Sequence, residues 1–513
     1  MKKILLLLLL GNAAFAQLTS PQIDSLANDA LKRFNVAGCA IAVVKDGKVI
    51  HSRGYGIQSI NTKQPVTEHT NFAIASNSKA FNCIALAILV DEGKLNWTDK
   101  VVQYIPEFKM YNEYVSQNFT IEDLLTHRSG LGLGAGDLMF FPDGTDFTMT
   151  DLLSSFQHFK PTSAFRTQFD YDNLLYMVSG EVVKRVTGTT WEQFVQTRIL
   201  QPLGMDGSYT ALSMVKDKTT LASPHADVKG RLKELPLWTE MVNGAAGGIY
   251  ANVNDLSQWL LLQLNHGKYG YKQLVSEENH LKTWTIHTVM GADYGGGRYN
   301  SHFSGYGLGW MLSDSNGNLV VEHTGGLPGM LSETLMVPDL NFGVVVLTNT
   351  SDGGGGLFTT ITRTIMDGYL GLEDYQWANK IDAVLKEQAA QGDEITDKVW
   401  KTVKDNAKVK INSASYIGVY EDKWFGKAEV YLNGGQLWLK CLRSPKLNGP
   451  MQFYKGNSFA VKWEYQDMPA DAFAMFTLDE EGKANGLKLK GISPNIDFSF
   501  DFQDLDFKRV ENE

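Results

Sequence analysis

The sequence predicts an α+β protein, with an antiparallel sheet flanked by helices and carrying an all-helical insertion, followed by a small antiparallel β-barrel domain. Three observations lead there. A hairpin signal stands near the start, strand patterns recur after residue 318, and helical apolar patterns fill the interval, the element order of a sheet built from both ends around inserted helices. After about residue 415 the pattern changes to short alternating strands separated by turn residues, as in a separate all-β unit. With 513 residues and 43% hydrophobic content, the chain can fill more than one core.

Taken in order, Lys2-Lys3, the apolar run 4–10 and Ala14-Phe15-Ala16 read as a secretory signal peptide over residues 1–16. The protein is therefore expected to be exported, periplasmic or secreted. The apolar run is far shorter than the ~20 residues that cross a bilayer, so no stable membrane anchor is expected after cleavage. Residues 39–45 and 48–53 flank Asp46-Gly47 and form the hairpin. Helices are predicted over 76–92, 174–187 and 254–266 from apolar residues at helical spacing, with Gly93 and Gly188 as stops for the first two.

Strands at 319–323, 330–337 and 342–347 complete the sheet, and a helix over 357–370 closes it after the glycine run 353–356. This gives a first domain over 17–370, and amphipathic residues 378–390 suggest a helical linker over 371–410. The second domain, 411–513, carries predicted strands at 428–432, 436–441, 458–463, 472–478, 486–490 and 498–502, with turns at 433–435 and 479–483.

Within the first domain, Ser76-Asn77-Ser78-Lys79 opens a strongly apolar helix and places a hydroxyl and an amine one turn apart on the same face. A lysine titrates near ~10.4, so it serves as a base at neutral pH only if desolvation or nearby positive charge lowers that value by roughly 3 units. The apolar flanks Ala73-Ile74-Ala75 and Phe81 offer such surroundings, and the helix N-terminus favours a developing alkoxide. The alternative is an N-cap serine with a solvated lysine; a second Ser-x-x-Lys at Ser213 to Lys216 lacks the long apolar run.

Tyr171-Asp172-Asn173 precedes another apolar helix, which puts the tyrosine on a loop at a helix start. Tyr-x-Asn alone is uninformative, since it recurs at Tyr250 and Tyr431. His323-Thr324-Gly325-Gly326 follows a short strand, and its glycines allow close approach of a substrate. The ordered set is what points to catalysis.

On these motifs the chain resembles the serine beta-lactamase and penicillin-binding-protein superfamily, on the branch of class C beta-lactamases, D-Ala-D-Ala carboxypeptidases, D-aminopeptidases and esterases. The stretches from Leu124 to Leu131, Gly244 to Tyr250 and Gly305 to Trp310 add to the resemblance, which covers about residues 25–370. The second domain resembles the C-terminal domain appended to many members.

The resemblance implies that Ser76 attacks a carbonyl carbon while Lys79, Tyr171 or the coupled pair accepts its proton, forming an acyl-enzyme. It implies further that Asn173 holds Lys79 and a substrate amide, and that the backbone N–H groups of Ser76 and Gly326 meet the oxyanion. His323, Thr324 and Gly325 complete the implied substrate-binding strand. Where beta-lactamases of the family show Lys-Thr-Gly, this chain has His323-Thr324-Gly325. An imidazole recognises a carboxylate less firmly than a permanent cation does. The expectation is therefore a peptidase, amidase or esterase acting on a small-molecule or peptide substrate, with beta-lactamase or D-Ala-D-Ala carboxypeptidase activity as the alternative. A penicillin-binding sensor without turnover is the reading of another class.

A net charge of −10 gives no basic patch, and no nucleic-acid partner is expected. No His-x-x-x-His or Cys-x-x-Cys pattern occurs, so neither metal nor cofactor is expected. His127 is read as a loop-fixing residue, and no Gly-x-Ser-x-Gly elbow supports a hydrolase triad. Cys39, Cys83 and Cys441 are read as buried thiols, and the aromatics Tyr416, Tyr420, Trp424, Phe425, Trp438, Phe453, Tyr454, Trp463 and Tyr465 as barrel core. A ligand mouth, or a lid over Ser76, is the sharper alternative for that domain.

Overall fold

The computed structural model describes residues 17–239 and 242–510, so the expected signal peptide lies outside the described residues. The hairpin forms as expected from β1 (Gly38–Lys45) and β2 (Lys48–Gly56), turning on Asp46 and Gly47, both with positive φ. That backbone twist suits a two-residue hairpin loop. The sheet continues with β3 (Thr288–Ala292), β4 (Phe303–Tyr306), β5 (Met311–Ser315), β6 (Asn318–Leu327), β7 (Met330–Val337) and β8 (Phe342–Thr348). Its order is β2-β1-β8-β7-β6-β5-β4-β3, and all pairs are antiparallel.

The main helices are α1 (Ser20–Arg33), α2 (Ser78–Asp91), α3 (Asn173–Thr187), α4 (Val253–Leu264), α5 (Gly353–Tyr369) and α6 (Trp377–Asp405). Period-two alternation in β1 explains the layering. Cys39, Ile41 and Val43 pack with Ala27 and Leu31 of α1 and Leu357 and Ile361 of α5 on one face. Ala40, Ala42 and Val44 turn to the other face, where α2, α3 and α4 lie. There Phe81 of α2 stacks on Trp259 of α4 with ring centroids 3.7 Å apart. Such burial fixes α2 against the sheet, and with it the residues at its N-terminal end.

Two of the boundaries that differ from expectation have a clear physical reason. The third strand from the C-terminal end of this domain was expected to stop at residue 323, but β6 runs to Leu327 because Gly325, Gly326 and Leu327 stay paired with Ser332, Leu331 and Met330. The glycine run reads as a loop, yet it forms the first turn of α5. A Cβ on Gly353 would stand 1.8 Å from the Phe34 carbonyl oxygen, so close packing explains a residue of poor helix propensity there.

The second domain is a closed barrel of β9 (Gly418–Asp422), β10 (Gly426–Asn433), β11 (Gln436–Cys441), β12 (Asn448–Lys455), β13 (Ser458–Val461), β14 (Ala472–Leu478), β15 (Ala484–Gly491) and β16 (Phe507–Val510). Sequence patterning misses β9, β12 and β16, since Gly449-Pro450 inside β12 reads as a turn and the other two are short. The expected strand at 498–502 does not form; that segment bends out of the barrel towards the first domain. Tyr416, Tyr420, Trp424, Phe425, Trp463 and Tyr465 are buried, and Tyr416, Phe459 and Phe476 interlock edge to face. Tyr420 joins this cluster through Phe476. Trp438, Phe453 and Tyr454 are only partly buried.

The barrel packs on the helical insertion through Phe425 against Phe147 and Trp424 against Phe159. Arg443 of the barrel bridges Asp146 and Asp151 there. All three cysteines are free and buried.

Candidate active site

The site forms where the N-terminal end of α2 meets the edge of β6 and the start of α3. Ala75 has φ +48, a left-handed backbone that an alanine adopts at a cost. The kink begins the short turn Ala75–Asn77 and leaves Ser76 partly exposed while its neighbours are buried. On the facing strand, a Cβ on Gly325 would lie 2.1 Å from the Ile74 carbonyl oxygen, so only glycine lets β6 pass this close to the serine turn. Ser332 of β7 locks the contact, donating to Ile74 O at 2.8 Å and receiving Asn77 Nδ2 at 2.9 Å.

Lys79 is fully buried. Its Nζ donates to Asn173 Oδ1 at 2.7 Å and to the Ala246 carbonyl at 2.9 Å, and lies 3.1 Å from Ser76 Oγ. Desolvation pulls the amine down to about 7, against the opposing pull of Asp137 and Asp172. A carbonyl oxygen only accepts. In the neutral amine the two N–H groups are therefore matched by two carbonyls, and the lone pair is left for the Ser76 hydroxyl. This arrangement can remove a proton from Ser76.

Tyr171 lies on the loop before α3, and Asp172 caps that helix by accepting from Leu175 N. The Lys79 amine sits 4.7 Å from the Tyr171 ring centre. Burial pushes the Tyr171 phenol above its ordinary value, with the Ser76 side chain acting in the other direction. Burial likewise lifts the Asp172 carboxyl to about 7. The ring of His127 lies 4.2 Å from that of Tyr171, and its Nδ1 accepts from Asp172 N at 3.0 Å. His127 thus ties the loop of the His-Arg-Ser-Gly stretch to the catalytic-type tyrosine loop.

Along β6, Thr324 and Gly326 face solvent while His323 and Gly325 are turned inward. His323 Nδ1 is 2.5 Å from its neighbour Thr324 O, so it carries the proton, and Nε2 accepts from the Tyr306 hydroxyl at 3.0 Å. Burial, followed by the nearby Lys79, lowers the imidazole to about 3. Both ring nitrogens are occupied by protein partners. The N–H of His323, a residue that the resemblance implies for the substrate-binding strand, is directed at Thr324 O.

Several contributors have little sequence signal. Ala246 acts through its carbonyl, which no side chain announces. Asp137 is buried, and its Oδ2 accepts from Asn173 Nδ2 at 2.8 Å; a carboxylate ahead of the apolar Leu138-Met139-Phe140 was the available hint. A cavity of about 400 Å³ opens beside the Gly244–Ala246 turn, bordered by Glu192, Thr210, Met214, Trp238, Gly248 and Leu327. Among the described residues no group of three or more His, Cys, Asp or Glu could hold a metal ion.

Residues 23–363 match the family model described as Beta-lactamase, and residues 407–509 match the one described as Domain of unknown function (DUF3471). Protein flp of Staphylococcus aureus (strain N315) is 29% identical over 340 residues, covering 64% of this chain and 62% of that protein. The chain thus spans 62% of the length of this curated relative. Unguisins hydrolase ungD of Aspergillus violaceofuscus (strain CBS 115571) is 27% identical over 443 residues, covering 81% of this chain and 77% of that protein. The octameric penicillin-binding protein homologue from Pyrococcus abyssi superposes with a TM-score of 0.60 at 21% identity, covering 95% of this chain and 99% of that one. The penicillin binding protein from Bacillus halodurans gives 0.54 at 25% identity, covering 66% of this chain and 98% of that one.

Proposed function

The chain belongs to the beta-lactamase family, and on that premise we propose that it is an exported serine hydrolase acting through an acyl-enzyme on small amide, peptide or ester substrates. The observation that carries the reading is the hydrogen-bond arrangement of Lys79. With its two N–H groups on Asn173 Oδ1 and Ala246 O, the neutral amine takes the Ser76 proton as Oγ attacks the substrate carbonyl carbon. The oxyanion is met by the backbone N–H groups of Ser76 and Gly326, each such donor being worth about 3 to 4 kcal/mol to the transition state.

Tyr171, held protonated by burial, lies on the same side and relays the proton from Lys79 to the leaving nitrogen or oxygen. Water then attacks the acyl carbonyl, and Ser76 leaves with its proton restored. Thr324, exposed on β6, and Asn173 hold the substrate amide or ester in register.

Position 323 supports the substrate class proposed here. The buried His323 is uncharged at neutral pH and engaged on both nitrogens, so it offers no cation to a carboxylate beside the scissile bond. This favours amides, peptides without that carboxylate, and esters over beta-lactams and D-Ala-terminated peptides. The name of the Aspergillus relative supports hydrolysis as the reaction class. Export rests on Lys2-Lys3, the apolar run and Ala14-Phe15-Ala16; N-terminal sequencing of protein from fractionated cells tests it, and Met1 retained on cytoplasmic material would overturn it.

The deciding experiment compares kcat/KM on nitrocefin, D- and L-amino-acid amides and a short p-nitrophenyl ester for wild type and Ser76→Ala, with intact mass after a fluorophosphonate. Turnover of an amide or ester together with a single adduct that Ser76→Ala abolishes is the expected result. A dominant rate on nitrocefin would reverse the substrate order, and a persistent adduct without turnover of any substrate would make the protein a sensor.

A further inference from the structure

The barrel reaches the catalytic machinery through segment 498–501. Ser499 Oγ donates to Asp137 Oδ2 at 2.8 Å, the same oxygen that accepts from Asn173 Nδ2 at 2.8 Å. Asp501 accepts from the two backbone amides on either side of Asp137, Gly136 N at 2.8 Å and Leu138 N at 2.9 Å. Phe498 lies edge-on to Tyr171, with ring centroids 5.9 Å apart. Asp137, Ser499 and Asp501 are all buried, so water does not compete for these bonds. The same loop is tied to the tyrosine, since Gly134 N donates to Tyr171 O at 2.8 Å.

From this geometry we infer that Asp137 is a positioning residue held by the barrel: Ser499 and Asp501 fix Asp137, Asp137 fixes the orientation of the Asn173 amide, and Asn173 thereby presents an acceptor to Lys79. An asparagine amide can place either its oxygen or its NH2 towards a neighbour. Only the first accepts from Lys79. The Asp137 oxygen that receives Asn173 Nδ2 selects that orientation, and a flipped amide would set two N–H groups against the amine. The second domain is then part of the catalytic apparatus.

The inference rests on the acyl-enzyme reading, and the test separates the two. In the full-length protein, kcat, KM and the pH profile of kcat/KM are measured with p-nitrophenyl butyrate for wild type, Ser76→Ala, Ser499→Ala, Asp137→Leu and Asp137→Asn, with thermal melts alongside. If wild type is inactive or Ser76→Ala keeps full turnover, the acyl-enzyme reading fails. With that reading intact, Ser499→Ala and Asp137→Leu are expected to lower kcat by about tenfold to a hundredfold with KM little changed, a range typical of lost support behind a reacting group. Asp137→Asn, which keeps an acceptor facing Asn173 and Ser499, recovers most of that loss. Folded Ser499→Ala protein with wild-type kcat and an unmoved pH profile would overturn the inference, whether or not Asp137→Leu folds.

Discussion

Lys79 Nζ lies 3.1 Å from Ser76 Oγ, and every atom within its hydrogen-bonding reach is uncharged. A lysine without an ion-pair partner in a dry site is poised to give up its proton, and removal of either member of the pair has a defined outcome. Ser76→Ala and Lys79→Met are each expected to cut kcat/KM on a p-nitrophenyl ester by at least about a thousandfold, as when members of a nucleophile-base unit are lost. Ser76→Ala also abolishes the fluorophosphonate adduct. Steady-state rates and intact mass spectrometry check both.

The pH dependence follows from the same amine. Its value of about 7 means that the neutral, proton-accepting form grows as pH rises through that point. The kcat/KM profile, which reports the free enzyme, should therefore climb with pH through about 7 and fall about tenfold for each unit below it. A rate that is flat from pH 5 to 8 would remove Lys79 as the base.

Asp172 titrates in the same window, also near 7, and its negative charge favours the protonated lysine. Asp172→Asn keeps a good helix cap but deletes that charge. The rising limb of the profile is expected to move to lower pH, and a shift to higher pH would contradict the coupling.

Tyr306 donates to His323 Nε2 in a buried setting. Tyr306→Phe leaves the imidazole nitrogen without a donor and should cost about 1 to 3 kcal/mol, the usual penalty for a stranded buried polar atom. Urea unfolding measures it; an unchanged midpoint would mean that the ring finds another partner.

Gly325→Ala forces a Cβ to within 2.1 Å of the Ile74 carbonyl oxygen. Overpacking of this kind costs about 1 to 3 kcal/mol, and here it also pushes β6 away from the serine turn. Both a lower unfolding midpoint and a lower kcat/KM are expected, whereas a loss of stability with full activity would detach the strand from the chemistry.

Much of the fold was legible because local patterning and tertiary packing agree. The strand expected over residues 330–337 is β7 with its observed bounds, and the apolar spacing after Ser76 gave α2. The serine, lysine, tyrosine and asparagine carry recognisable side chains at helix starts, so they could be picked out one motif at a time. Asp137 and Ser499 could not, because 362 residues separate them and neither sits in a periodic element. Phe498-Ser499-Phe500-Asp501-Phe502 even imitates a half-buried strand. Its polar members are instead buried against another domain, an environment that period-two spacing cannot distinguish from solvent.

The placement of Asp501 sets an order of events during synthesis. Its carboxylate grips the amide of Gly136, 365 positions earlier, so a ribosome releases the nucleophile long before the clasp that steadies its neighbourhood. A nascent or prematurely terminated polypeptide would carry Ser76 and Lys79 without that clasp, so on the proposed reading full hydrolytic competence waits for the second domain to be made and folded.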